Sequence, residues 1–174
     1  RDKKKINSGL LSEIFLNWIE KYTIISFEDP FAEDDVAAMT KFTQAIGSRI
    51  QVVADDFVCT NASSIELAAK VGACNSTLIK PNQVGTLSEA KAAFNAARDV
   101  NWNKILSARS GETEDVSIVH LAIGWGADQL KVGSFSRSER MAKWNECLRI
   151  MEDIILKDQV FSYKSKFPWQ TTKD

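Results

Sequence analysis

A repeat limits most severely how this chain can fold. A short β-branched or aliphatic run ends in a charged residue, and an amphipathic stretch of helical period follows. The runs fall at 24–27, 51–54, 76–79, 104–107 and 129–132. The charged residues at their C-terminal ends are Glu28, Asp55, Lys80, Arg109 and Lys131. Successive members lie roughly 25 residues apart, about one strand–helix unit each time. Helical stretches are expected at 8–21, 33–46, 63–71, 87–99, 113–123 and 136–156. In the first of them, Leu10, Leu11, Ile14, Phe15, Trp18 and Ile19 mark one apolar face. Pro30 stops the first strand and Gly47 suits the end of the second helix. Asn61, Ser63 and Ser64 are alternative caps for the third, and Glu114 and Asp115 fall in the first turn expected for the fifth. Six helices and five strands in this order predict an α/β fold with a parallel sheet and right-handed crossovers.

Composition removes several classes of function. In 174 residues, 22 Lys and Arg balance 23 Asp and Glu for a net charge of −1. A dedicated nucleic-acid or anionic-membrane binder would need a basic excess. One histidine, His120, excludes a histidine-rich zinc site within the chain. The three cysteines, Cys59, Cys74 and Cys147, are odd in number, widely spaced and without a CxxC. They fit a reducing, cytoplasmic compartment rather than a disulfide framework. The longest apolar run, 116–127, is interrupted by Ser117, His120 and two glycines, and is too short to span a membrane. No targeting segment is visible at the basic start.

In a parallel βα array the C-terminal strand ends share one face, which in barrels carries the active site. Glu28, Asp55, Lys80, Arg109 and Lys131 are therefore expected to converge on one mouth. Two carboxylates from neighbouring strands, with no histidine, suit a hard cation such as Mg²⁺. Arginine and lysine suit a phosphate or carboxylate ligand, and a partly desolvated lysine can serve as a base. The combination points to metal-assisted chemistry on a small phosphorylated acid. Other polar features carry blander roles. Asp56 faces away from Asp55 and starts a turn, and Glu33, Asp34 and Asp35 open a helix. His120 and the cysteines are structural, and the five tryptophans form no stacking platform.

Five ordered motifs then resemble the enolase family: ISFEDPFAEDD at 25–35, VADDF at 53–57, LIKPNQVG at 78–85, SARSGETED at 107–115 and LKVGSFSRSERMAKWN at 130–145. The likeness covers roughly 8–160. It implies a partial TIM-type (β/α)8 barrel of about five βα units over residues 1–160, with 161–174 as a C-terminal tail. It further implies phosphopyruvate hydratase activity: the reversible, Mg²⁺-dependent dehydration of 2-phosphoglycerate to phosphoenolpyruvate in glycolysis. By position in the motifs, Glu28 and Asp55 match metal ligands and Lys80 the base that takes the α-proton. Arg109 and Ser110 match phosphate contacts, and Lys131 a carboxylate contact. Arg149 and Glu152 match residues at the interface of a homodimer.

The chain also departs from the family. Ala108 stands where the SHRSGETED loop has histidine, and alanine can neither donate nor accept. Pro81 replaces an aliphatic residue after Lys80, Val36 a tryptophan, and Ala62-Ser63-Ser64 a Pro-Lys-Arg stretch. Five strands cannot close an eight-stranded barrel, so the chain is expected to be part of a larger protein that brings the acid glutamates and a third metal carboxylate. A catalytically impaired enolase paralogue, acting as a scaffold or binding protein, is the alternative that Ala108 motivates. An acid-sugar dehydratase of the same superfamily is less well matched, since SGETED and RSER are features of enolase proper.

Overall fold

The computed structural model describes residues 5–159 and 167–170. Most of the tail expected at 161–174 lies outside the described residues; within 167–170 the Phe167 and Trp169 rings stack at 4.6 Å. The chain runs α1 (Ser8–Lys21), β1 (Ser26–Glu28), α2 (Val36–Ile46), β2 (Gln51–Ala54), α3 (Ala62–Lys70), β3 (Ser76–Ile79), α4 (Pro81–Val84), α5 (Leu87–Asp99), β4 (Asn103–Ser107), α6 (Ser117–Trp125), β5 (Gln129–Lys131) and α7 (Ser138–Leu156). The strands form one sheet in the order β1-β2-β3-β4-β5, with every pairing parallel. This is the expected α/β architecture, half of a TIM-type barrel.

Strand parity decides what each side chain meets. Val52, Ala54, Ile79 and Leu106 face the helices and join Met39, Phe42, Ile46, Ile65 and Phe94 in the main core. There Phe42 packs edge-on against Phe27 and Phe31, and Phe15 of α1 lies 6.0 Å from its ring. Burying aromatic side chains of this kind stabilises by about 1.5–3 kcal/mol each. The opposite parity lines the concave side in three tiers. At the N-terminal end of the strands, the Gln51 amide donates to Ser26 and Gln129 and accepts from Asn103, which links four strands. Val53, Leu78 and Ile105 form an apolar middle tier. One step further on come the charged strand ends.

The element boundaries follow the sequence except where a cap or a distant contact shifts them. The helix expected from 33 starts at Val36, because the Asp35 carboxylate accepts the Ala38 N–H and so caps it. Asn61 caps α3 by accepting the Ser64 N–H, which selects it from the three alternatives. Gly47 ends α2 as expected. Pro81 does more than keep Lys80 extended: it sits at the first position of α4, a short helix that raises the described helices from six to seven. The largest correction is α6. It begins at Ser117, not 113, and Glu114 and Asp115 precede it. Asp115 instead accepts the Ser117 N–H and hydroxyl, which hold its carboxyl below the usual range.

The reason lies in α7, which reaches back over the strand ends. Lys143, completely buried, donates to the Thr113 carbonyl at 2.6 Å and pairs with Glu112 at 2.8 Å. Glu112 also accepts the Arg109 N–H at 2.8 Å. These bonds hold the segment after β4 against α7 and keep it out of α6. Burial alone would raise the Glu112 carboxyl. Lys143 and the Arg109 N–H outweigh it and hold the group below the usual carboxylate range. A carboxyl depressed in the folded state stabilises the fold fully above its unfolded value of about 4.3, and that stability is lost as pH falls toward the lower folded value. Glu112→Gln, which leaves Lys143 buried without its counterion, is expected to cost about 3–5 kcal/mol at neutral pH. Urea midpoints measured from pH 7 down to 3.5 should converge with those of the parent protein. A difference that stays constant over that range would sink this account.

Candidate active site

The five charged strand ends do converge. Glu28, Asp55, Lys80, Arg109 and Lys131, with Ser110, line one cavity of about 440 Å³. Parity explains it, since each belongs to the concave-facing set or follows it by an even step. Ala108 lines the same cavity. Arg149 and Glu152 lie far from it in the fold, on the exposed side of α7, where Arg149 pairs with Glu146 at 2.6 Å.

Opposite charges alternate around the mouth. The Lys80 ammonium donates to both Asp55 oxygens at 2.6 Å, and both side chains are largely buried. Lys131 donates to Glu28 at 2.7 Å, closer to solvent. This second pair joins β1 and β5, the two edges of the sheet, so the sheet is curled strongly enough for its edges to meet through side chains. The Arg109 guanidinium makes no ion pair among the described residues, which leaves a cation at the mouth for an anionic ligand.

Several residues that hold the site were not anticipated. Asp29, in a left-handed conformation at φ 40°, accepts the N–H groups of Asp55 and Asp56 at 2.9 and 2.8 Å and so fixes the turn that presents Asp55. Burial pushes its carboxyl up, against the pull of those two hydrogen bonds. Thr60, buried and also left-handed at φ 53°, accepts the Lys80 N–H at 3.0 Å and donates to Gln83 at 2.7 Å. A β-branched residue in that region is strained, and strain persists only where the surroundings over-determine it. Arg140 donates to the carbonyls of Arg109, Ser110 and Val132, each at 2.9 Å. The only sequence signals for these roles were adjacency to Glu28 for Asp29 and membership of the RSER stretch for Arg140.

The remaining polar features are structural. His120 is hydrogen-bonded rather than packed: its ring is exposed and meets Glu146 at 3.0 Å. The three cysteines are free. Among the described residues no helix is long and apolar enough to cross a membrane.

Comparison with known proteins agrees with this geometry. The family model for the enolase C-terminal TIM barrel domain matches residues 1–167. The enolase of Mastigamoeba balamuthi is 49% identical over 144 residues, covering 83% of this chain and 33% of that protein. The enolase of Anaplasma phagocytophilum (strain HZ) is 50% identical over 149 residues, 86% of this chain and 35% of the relative. The enolase of Anaplasma marginale (strain St. Maries) is 46% identical over 151 residues, 87% of this chain and 35% of the relative. The chain thus spans about a third of the length of these relatives. A family match over nearly the whole chain, a parallel half-barrel and a charged mouth at the strand ends together place the chain in the enolase family, within its C-terminal barrel domain.

Proposed function

We propose that this chain supplies part of the barrel of an enolase that reversibly dehydrates 2-phosphoglycerate to phosphoenolpyruvate in glycolysis. The observation that carries this is the gathering of Glu28, Asp55, Lys80, Arg109, Ser110 and Lys131 around one cavity. Arg109 and Ser110 would hold the phosphate, and Lys131 the carboxylate. A substrate gripped at both ends presents its α-carbon between them.

The donor chemistry fits a hard ion. Two carboxylates line the cavity, with no histidine or cysteine among the described lining residues. Mg²⁺ commonly takes one or two carboxylates and completes its sphere with water and substrate oxygens. Glu28 and Asp55 would hold it. Bound there, Mg²⁺ would supply Lewis-acid stabilisation of charge developing on the substrate carboxylate. Lys80 breaks the C–H bond beside that carboxylate and receives the proton at Nζ. In the resting state the Nζ ammonium donates to both Asp55 oxygens, so Lys80 must leave this pair and release one proton to solvent before Nζ can accept the proton from the substrate. Lys80 is largely buried, and Thr60 accepts its backbone N–H and so fixes the strand end that carries it.

On the full-length gene product, Lys80→Ala should lower turnover of 2-phosphoglycerate by about 10²–10⁴, the range for loss of a general base. Equal turnover in parent and variant would refute the assignment.

Ala108 supports a second reading, a catalytically impaired paralogue, because its methyl lines the cavity where the resembling family has a histidine. A slow parent enzyme that gains tenfold or more on Ala108→His would favour that reading. A fast parent enzyme left unchanged by the substitution would exclude it.

The same proposal makes the protein a cytoplasmic homodimer with Arg149 and Glu152 at the subunit interface. Their exposure on α7 beside the exposed Leu148 and Met151 supports this, and the free cysteines fit a reducing compartment. Sedimentation equilibrium should show a dimer in the full-length protein that Arg149→Glu weakens; a parent protein that is monomeric at micromolar concentration would contradict it.

A further inference from the structure

We propose that Arg140 is a positioning residue that sets the distance between the two ends of the ligand site. The proposal rests on the functional reading above, in which Arg109 and Ser110 take the phosphate and Lys131 the carboxylate. Arg140 comes from α7 and is 5% exposed. Its Nη1 donates both to the Arg109 carbonyl, on the loop after β4, and to the Val132 carbonyl, just past β5. Its Nη2 donates to the Ser110 carbonyl. One planar guanidinium therefore ties the peptide units of the anion-holding loop to the strand end that carries Lys131. Val132 is the residue next to Lys131, and Arg109 and Ser110 are themselves two of the three anchored residues.

The surroundings are shaped for this guanidinium. Gly133 adopts φ +107°, and a Cβ built there would lie 3.8 Å from Arg140 Nη1, so the chain passes close above it in a conformation that favours glycine. The Arg137 backbone at φ 70° turns the chain into α7 one turn ahead of Arg140. Lysine cannot replace this function. It carries one compact ammonium, whereas arginine offers donors in a fixed plane that reach several carbonyls at once.

A device that fixes spacing has a distinctive signature. A ligand with two anionic ends gains affinity because the second contact is made at high effective concentration, and that gain disappears when the two halves of the site drift relative to one another. A ligand with one anionic group has no such gain to lose.

The experiment uses the full-length protein with Arg140→Lys, and with Arg140→Gln as a second variant. Affinities for phosphoenolpyruvate and for inorganic phosphate are measured by calorimetry, with thermal melting as the check on folding. In a variant that still melts cooperatively, phosphoenolpyruvate affinity should fall at least tenfold while phosphate affinity changes less than threefold. A proportional fall in both, or no fall in either, overturns the assignment. So does loss of cooperative folding in both variants, which would make Arg140 a folding residue only. Turnover of 2-phosphoglycerate by the parent protein separates this from the functional reading. A parent without turnover whose preference for phosphoenolpyruvate is still lost on Arg140→Lys refutes the reading and keeps the inference. A parent with turnover whose variants retain that preference does the reverse.

Discussion

Charges that share a poorly solvated mouth must be neutralised there, because removing an ion from water costs far more than a folded domain can spare. That requirement organises this structure. Lys80 and Asp55 are both largely buried, and each is tolerable only because the other lies at hydrogen-bond distance. Glu28 and Lys131 satisfy the same requirement across the sheet, and they can do so only if its edges curl toward each other. At the other end of the strands Gln51 reaches Gln129 and holds the same curl with neutral amides. Between these two polar tiers lie Val53, Leu78 and Ile105, which need no partners. The concave face is thus polar, apolar and charged in succession, and its curvature is fixed at both ends by side chains.

A resting site made of paired charges is also poised for exchange. Among the described residues, every ion at the mouth that a ligand or metal would engage is already held by a protein group of opposite sign, apart from Arg109. Binding therefore replaces one set of electrostatic partners by another and does not bury naked charge. The cost of opening each pair is offset by the pair that forms. The Lys80–Asp55 pair is the more buried of the two, so its rearrangement is the more demanding step.

The strands, their order and the residues at their ends were legible in the sequence because a short β-branched or aliphatic run, a charged terminus and a following helical period are local signals. The cap at Asn61 was legible as one of three local candidates. What escaped was set by contacts between segments distant in sequence. The start of α6 depends on Lys143, thirty residues downstream of the Thr113 carbonyl it binds. The left-handed backbone of Thr60 makes sense only once Lys80 and Gln83 are beside it. Asp29 stood out only as the residue between Glu28 and the strand-stopping Pro30, yet it organises the turn that presents Asp55. The RSER stretch was visible as a motif, but nothing local reveals that Arg140 is spent on three carbonyls. The α4 turn was hidden because Pro81 after an extended residue reads equally well as a simple stop.

The placement of α7 has a consequence for how the protein comes into being. All five strands and their charged ends, Glu28, Asp55, Lys80, Arg109 and Lys131, are encoded before the helix that holds the mouth in shape. A chain emerging from the ribosome can pair β1 through β5 in order, each beside its predecessor, while the loop after β4 still lacks Arg140 and Lys143. Until α7 emerges, Glu112 has no buried lysine to meet and the carbonyls of Arg109 and Ser110 have no donor from that helix. The loop after β4 is therefore secured later than the strands it joins. A nascent chain would pass through a stage in which these five strands are paired while the loop after β4 is not yet held.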